Sequence, residues 1–215
     1  MLGIHDLAIF MLSGLILNMT PGPDSLLIVS RTAAGRWQQG AVTALGISTG
    51  TLVHVLAAAL GLSAILATSA MAFTVVKWIG ALYLIWLGLS ALLKRRHSTP
   101  QALASRISET RLRTLFRQGF LTNVLNPKVA LFFMAFMPQF IDPASTLKPL
   151  AFLTLGLIFD VVGTLWSAVL ITAVTLGGQR LRPGARLKAR LERSVGVMFL
   201  ALGVRLALTR TPSPV

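Results

Sequence analysis

The sequence predicts an all-α membrane protein: six transmembrane helices forming two inverted three-helix repeats, with helices one and four broken near the midplane. Three observations predict it. Of 215 residues, 54% are hydrophobic and only 12% charged, with a mean hydropathy of +0.76; a soluble domain carries about 25% charged residues. The apolar runs are long, and stretches of about 18 or more read as membrane spans. Two short polar segments punctuated by proline interrupt such runs, Asn18 to Asp24 and Asn123 to Lys128. Backbone at bilayer depth cannot stay unpaired in hydrocarbon, so such a break persists only where it is buried in protein or lines a cavity.

Helix one is expected over 5–34 and contains the first break. Pro21 removes a backbone donor and drives Thr20 away from helical angles. Pro23 suits the first turn of a new helix with Gly22 near its cap. Asp24 then falls in that first turn, where a helix N-terminus favours an anion. From Asp24 to Gly35, about 12 residues rise about 18 Å, which sets the break near the midplane if Arg36 marks the interface. Helices two and three are expected over 40–67 and 72–93. Helix four, 116–141, carries the second break. There Pro127 frees carbonyls one turn back, and Asn123 and Asn126 supply amides for that backbone or for a ligand. Helix five is expected over 148–176 and helix six over 194–209. The sixth is short and holds Arg205, which must snorkel, or the helix must extend back into the preceding basic loop.

A net charge of +14 invites a nucleic-acid partner, but its placement argues otherwise. Fifteen of the 20 Lys and Arg fall after helices one, three and five, at Arg31 and Arg36, between Lys94 and Arg117, and between Arg180 and Arg193. In a six-helix protein those loops share one side. That is the positive-inside pattern, which puts both termini outside and the basic loops against anionic headgroups. The N-terminus lacks the basic start of a cleavable signal. With no cysteine, disulfides, thiolate metal sites and thiol nucleophiles are excluded. No metal-ligand cluster, phosphate loop or nucleophile elbow occurs, so neither a cofactor nor an enzymatic role is expected.

The halves resemble each other. Aligning Thr20-Pro21 with Asn126-Pro127 puts Gly50 on Gly156 and His54 on Asp160. After a slip of nine, Leu84 to Gly88 matches Phe199 to Gly203. Three helices is an odd number, so the second copy must run inverted, an arrangement that supports alternating access around a midplane site. The expected division is 1–93, a basic linker 94–115, and 116–215, in one integrated membrane domain. Glycine-rich helix faces are compatible with a homodimer.

Asp24, His54, Lys128 and Asp160 are ionisable groups inside the spans, which mark a transport route, a proton relay or one another's partners. The set suits a zwitterion. A carboxylate can take Lys128 and free N–H groups at the half-helix starts; an ammonium can take Asp24 or Asp160 and exposed carbonyls. Asp24, His54 and Asp160 can titrate and carry a proton. Structural roles compete: Asp24 as a first-turn helix stabiliser, Lys128 as a bridge to Asp24 or Asp160, His54 as a packing residue, and Asn18, Asn123 and Asn126 as caps on broken backbone. The expected substrate-binding set is Asn18, Thr20, Pro21, Gly22, Pro23, Asp24, Asn123, Asn126, Pro127 and Lys128.

Asn18 through Asp24 with Leu26-Leu27 and Arg31, Ala44-Leu45-Gly46 through His54, Lys77 through Gly88, and Gly119 through Lys128 with Pro138-Gln139-Phe140 resemble the LysE/RhtB family of bacterial amino-acid exporters over nearly the whole chain. The resemblance implies a six-helix inner-membrane exporter of small amino acids or derivatives, driven by proton antiport. A metal-cation or inorganic-ion exporter is the rival within transport, and a membrane-embedded enzyme or assembly factor the rival outside it. Soft metals prefer His, Cys or Met clusters and hard cations several carboxylates; one mid-helix His and two deep acids fit neither closely.

Overall fold

The computed structural model describes residues 2–62 and 111–177, with scattered helical positions between 71 and 92 and between 197 and 208. Residues 94–110 of the expected linker 94–115, the basic loop 178–193 and most of helices three and six lie outside the described residues, as do the junction at 93–94 and most of the repeat match at 84–88 and 199–203.

All described regular structure is helical, apart from one isolated antiparallel bridge between Ile4 and Ile141. Helix α1, Leu7–Met19, and α2, Pro23–Gly35, are the two pieces of helix one. Helix α3 runs Trp37–Ala57 and continues through a π-helical turn, Ala58–Leu62. Helix α4, Leu112–Val124, and α5, Pro127–Leu131, are the pieces of helix four. α5 passes into a π-turn at Phe132–Phe136 and a 3₁₀ turn at Met137–Phe140. Helix α6 spans Lys148–Gly177. The spans Trp37–Gly61 and Lys148–Gly177 are long and apolar enough to cross a bilayer, with mean hydropathies of 1.6 and 2.0. The pair Leu112–Val124 and Pro127–Phe140 also qualifies as one span bent by 44°. The chain is an all-α, multi-pass membrane protein.

The breaks fall where the prolines require. Thr20 (φ −66°, ψ 122°), Gly22 (φ −145°, ψ 179°) and Asn126 (φ −78°, ψ 105°) are all extended, and each precedes a proline. The rings of Pro21, Pro23 and Pro127 are exposed and act on the backbone rather than by contact.

Helix directions follow from the contacts. Ile4 meets Ile141, and the Arg31 guanidinium donates to Gln118 Oε1 at 2.8 Å. The two broken helices therefore run antiparallel. Helices α3 and α4 run parallel and very close. A Cβ on Gly46 would strike the Phe116 carbonyl, one on Gly119 would strike the Thr43 carbonyl, and one on Gly50 would lie 2.9 Å from both Asn123 Cβ and Phe120 O. Small residues at such a seam let two backbones approach. Helix α6 runs parallel to α1, through Gly14 against Phe159 and Gly163 against Asn18, and antiparallel to α3, through Gly156 against Val55. Each broken helix thus lies parallel to the unbroken helix that follows the other break.

The core is aromatic. Phe10, Phe132, Phe133, Phe136, Phe140 and Phe159 are buried together, with ring centroids 4.8 Å apart for Phe132–Phe159 and 5.3 Å for the edge-on pair Phe10–Phe140. The π-turn widens the helix by one residue per turn and brings Phe132, Phe133 and Phe136 into the same core. On the opposite face of α6, Leu157, Val161, Leu165 and Val169 are exposed at helical spacing.

Candidate functional site

The two breaks meet. Asp24, in the first turn of α2, accepts two side-chain amide hydrogen bonds at Oδ2, from Asn123 Nδ2 at 2.9 Å and Asn126 Nδ2 at 3.0 Å. Lys128 reaches the other way. Its Nζ donates to Leu17 O at 2.6 Å and Thr20 O at 3.0 Å, two carbonyls released where α1 stops. The acid of the first break is held by the second, and the ammonium of the second caps the first. Among the described residues the only ion pair within 4 Å is His5–Asp6 at the exposed N-terminus. Lys128 therefore bridges to backbone, not directly to Asp24 or Asp160.

Local bonds finish the breaks. Asn126 Oδ1 accepts from Lys128 N at 3.1 Å and caps α5. Thr20 Oγ1 donates to Ile16 O at 2.8 Å and Asn18 Nδ2 to Gly14 O at 2.9 Å, each one turn back along α1. Asn123 is the hub. It is buried, its Nδ2 holds Asp24, its Oδ1 accepts from Thr51 Oγ1 at 3.3 Å, and its backbone carbonyl lies 3.1 Å from His54 Nε2. That last geometry needs the His54 tautomer with a proton on Nε2. His54 therefore braces the second break and also packs on Phe133, with ring centroids 5.9 Å apart.

Beside the breaks lies a small cavity of about 30 Å³, room for about two waters. Its wall includes Asn18, Asp24, Asn123 and Asp160 from the expected set. Thr20, Pro21, Gly22, Pro23, His54, Asn126, Pro127 and Lys128 do not line it. Asp160 Oδ2 accepts from Ser48 Oγ at 2.8 Å, which ties α6 to α3 across the cavity.

Sequence reasoning missed Ser25, Ser48, Thr51, Thr164, Trp166 and Ser167, which also line the cavity. A signal existed. Ser48, Thr51 and His54 recur every three residues, and Asp160, Thr164 and Ser167 at spacings of four and three, as polar stripes on otherwise apolar helices. Two buried polar atoms here have no partner, Asp24 Oδ1 and Trp166 Nε1. Among the described residues no group of three or more His, Asp or Glu side chains gathers as a metal site. The site offers hydrogen-bond donors and acceptors around two carboxylates.

Comparison with known proteins fits this architecture. The sequence pattern of LysE type translocators matches residues 15–210. The chain is 34% identical to an uncharacterised membrane protein of Pseudomonas aeruginosa, over 96% of both chains. It is 26% identical to proteins named leucine efflux protein from an Enterobacter species and from Klebsiella pneumoniae, in each case over 95% of this chain and 96% of the relative. No solved structure matches it.

Proposed function

The chain belongs to the LysE type translocator family, a family of translocators and not of enzymes, and from that premise we propose that it exports small zwitterionic amino acids across the bacterial inner membrane in exchange for protons. The observation that carries this reading is the joining of two broken helices at a small polar cavity. Asp24 stands at its wall with one carboxylate oxygen committed to Asn123 and Asn126 and the other buried without a partner. An ammonium group is the natural partner of that unsatisfied oxygen at a depth where a bare charge is costly. The relatives named for leucine efflux make neutral, apolar-side-chain amino acids the first substrates to test.

In the same reading, the halves 1–93 and 116–215 are inverted repeats joined by the linker 94–115. The antiparallel broken helices, each flanked in parallel by the second helix of the other half, support this. Alternating access then consists of rocking one half against the other around the Asp24–Asn123–Asn126 joint. The small cavity corresponds to a closed state between outward and inward openings. Asp160, held among the described residues by Ser48, carries the coupled proton, and His54 steadies the second break. Lys128 keeps the first break open. The basic loops put both termini on the periplasmic side.

An untargeted comparison of metabolites released by cells with the protein, without it, and with Asp24→Asn tests the reading. Release of one or a few amino acids that depends on the intact protein and stops with Asp24→Asn is expected. Equal release from all three strains would overturn it.

A further inference from the structure

The two unpartnered atoms at the cavity have opposite character. Asp24 Oδ1 is an anionic acceptor and Trp166 Nε1 is a neutral donor; both are buried, both lack a partner, and both belong to residues of the cavity wall. Buried polar groups are nearly always satisfied, and an exception calls for a reason. An unpaired buried indole N–H is costly, and inside a membrane protein no bulk solvent relieves it. A tryptophan whose task was packing alone could be phenylalanine. The residues come from different halves, Asp24 from helix one and Trp166 from helix five, so a ligand touching both would feel the halves move.

We propose that Trp166 is a substrate-binding residue, its indole N–H receiving the carboxylate of the zwitterion whose ammonium sits at Asp24 Oδ1. This rests on the exporter reading above and deepens it. A zwitterion offers a donor group and an acceptor group separated by one carbon, complementary to the unpartnered acceptor and donor of these two wall residues. The indole suits this task. A neutral donor recognises a carboxylate without adding another buried charge, and its strength, unlike that of a lysine, does not depend on protonation. Recognition is then for the amino-acid backbone, and the side chain is selected by the apolar wall of Ile28, Ile47 and Phe159.

The test compares each amino acid with its decarboxylated amine in proteoliposomes. Wild-type protein and Trp166→Phe are assayed with leucine against 3-methylbutylamine, and with threonine and lysine against their amines. Hydrogen bonds to charged groups are worth about 1.5–3 kcal/mol, so Trp166→Phe should weaken amino-acid transport roughly tenfold to a hundredfold. Its handling of the matching amine should stay near wild type, which also reports that the variant is folded. Equal loss for acid and amine, or no loss for either, would refute the role of Trp166 while leaving the exporter reading in place. A wild type that moves none of the amino acids would sink both. Should the phenylalanine variant fail to insert, the indole reports directly. In protein with Trp37, Trp78 and Trp86 changed to Phe, the remaining indole N–H resonance should shift downfield with leucine and not with 3-methylbutylamine; no shift with leucine overturns the assignment.

Discussion

Gly50→Ala joins helix packing to the site through one atom. An added Cβ would lie 2.9 Å from Asn123 Cβ, 2.9 Å from Phe120 O and 3.1 Å from Asn123 Oδ1, where ordinary contact begins at 3.4 Å. Helices α3 and α4 must part by about 0.5 Å, or Asn123 must yield by that amount. Both routes move the residue that holds Asp24 at 2.9 Å. Stretched by about 0.5 Å, that bond leaves the useful range of about 2.7–3.2 Å. Overpacking of this kind costs about 1–3 kcal/mol, and loss of a hydrogen bond to a carboxylate costs about 1.5–3 kcal/mol. The variant should insert normally, melt several degrees lower in detergent, and transport roughly tenfold to a hundredfold less efficiently. Gly61→Ala is the control, because a Cβ there meets nothing within 4 Å; it should stay within about twofold of wild type. Thermal melting and proteoliposome efflux of the two variants settle the matter. If Gly50→Ala behaved like Gly61→Ala in both assays, the claim that the α3–α4 seam positions Asn123 would be wrong.

Lys128→Met removes two charge-assisted bonds to the first break. Each is worth about 1.5–3 kcal/mol, partly offset because an ammonium no longer has to be buried. A net loss of about 2 kcal/mol is expected, read as a lower melting temperature without substrate; unchanged melting with abolished transport would place the ammonium on the substrate instead. Asp160→Asn should keep amino-acid exchange between equal-pH compartments and lose uphill transport driven by a pH gradient. Retention of gradient-driven accumulation would remove Asp160 from the proton route.

The breaks were legible in the sequence because proline acts locally. Pro21, Pro23 and Pro127 each force the preceding residue out of helix, so the ends of α1, α2, α4 and α5 lie close to where the sequence sets them. Asp24, His54, Lys128 and Asp160 were legible because charge is rare in apolar helices. Their partners were not. A lysine near two acids suggests an ion pair, yet Lys128 is spent on the carbonyls of Leu17 and Thr20, a donor demand that only the shape of the first break creates. Ser48, Thr51 and Trp166 escaped notice because whether a helical residue faces lipid or cavity depends on the rotation of its helix. That rotation is set by contacts far away in sequence, such as Gly46 against Phe116 and Gly156 against Val55. The π-turns at Ala58–Leu62 and Phe132–Phe136 have no local signature either; the second follows the packing of the phenylalanine cluster.

Because the chain has no cysteine, single cysteines at Ser25, Ser48 and Ser167, which line the cavity, can be compared with cysteines at the outward-facing Leu157 and Val161. Small charged thiol reagents should modify the first three in membranes, and added substrate should slow that reaction, while the outward pair stays unmodified. Cavity positions that no water-borne reagent reaches under any gradient or substrate condition would mean that the joined breaks enclose a dry structural core and not a transport chamber.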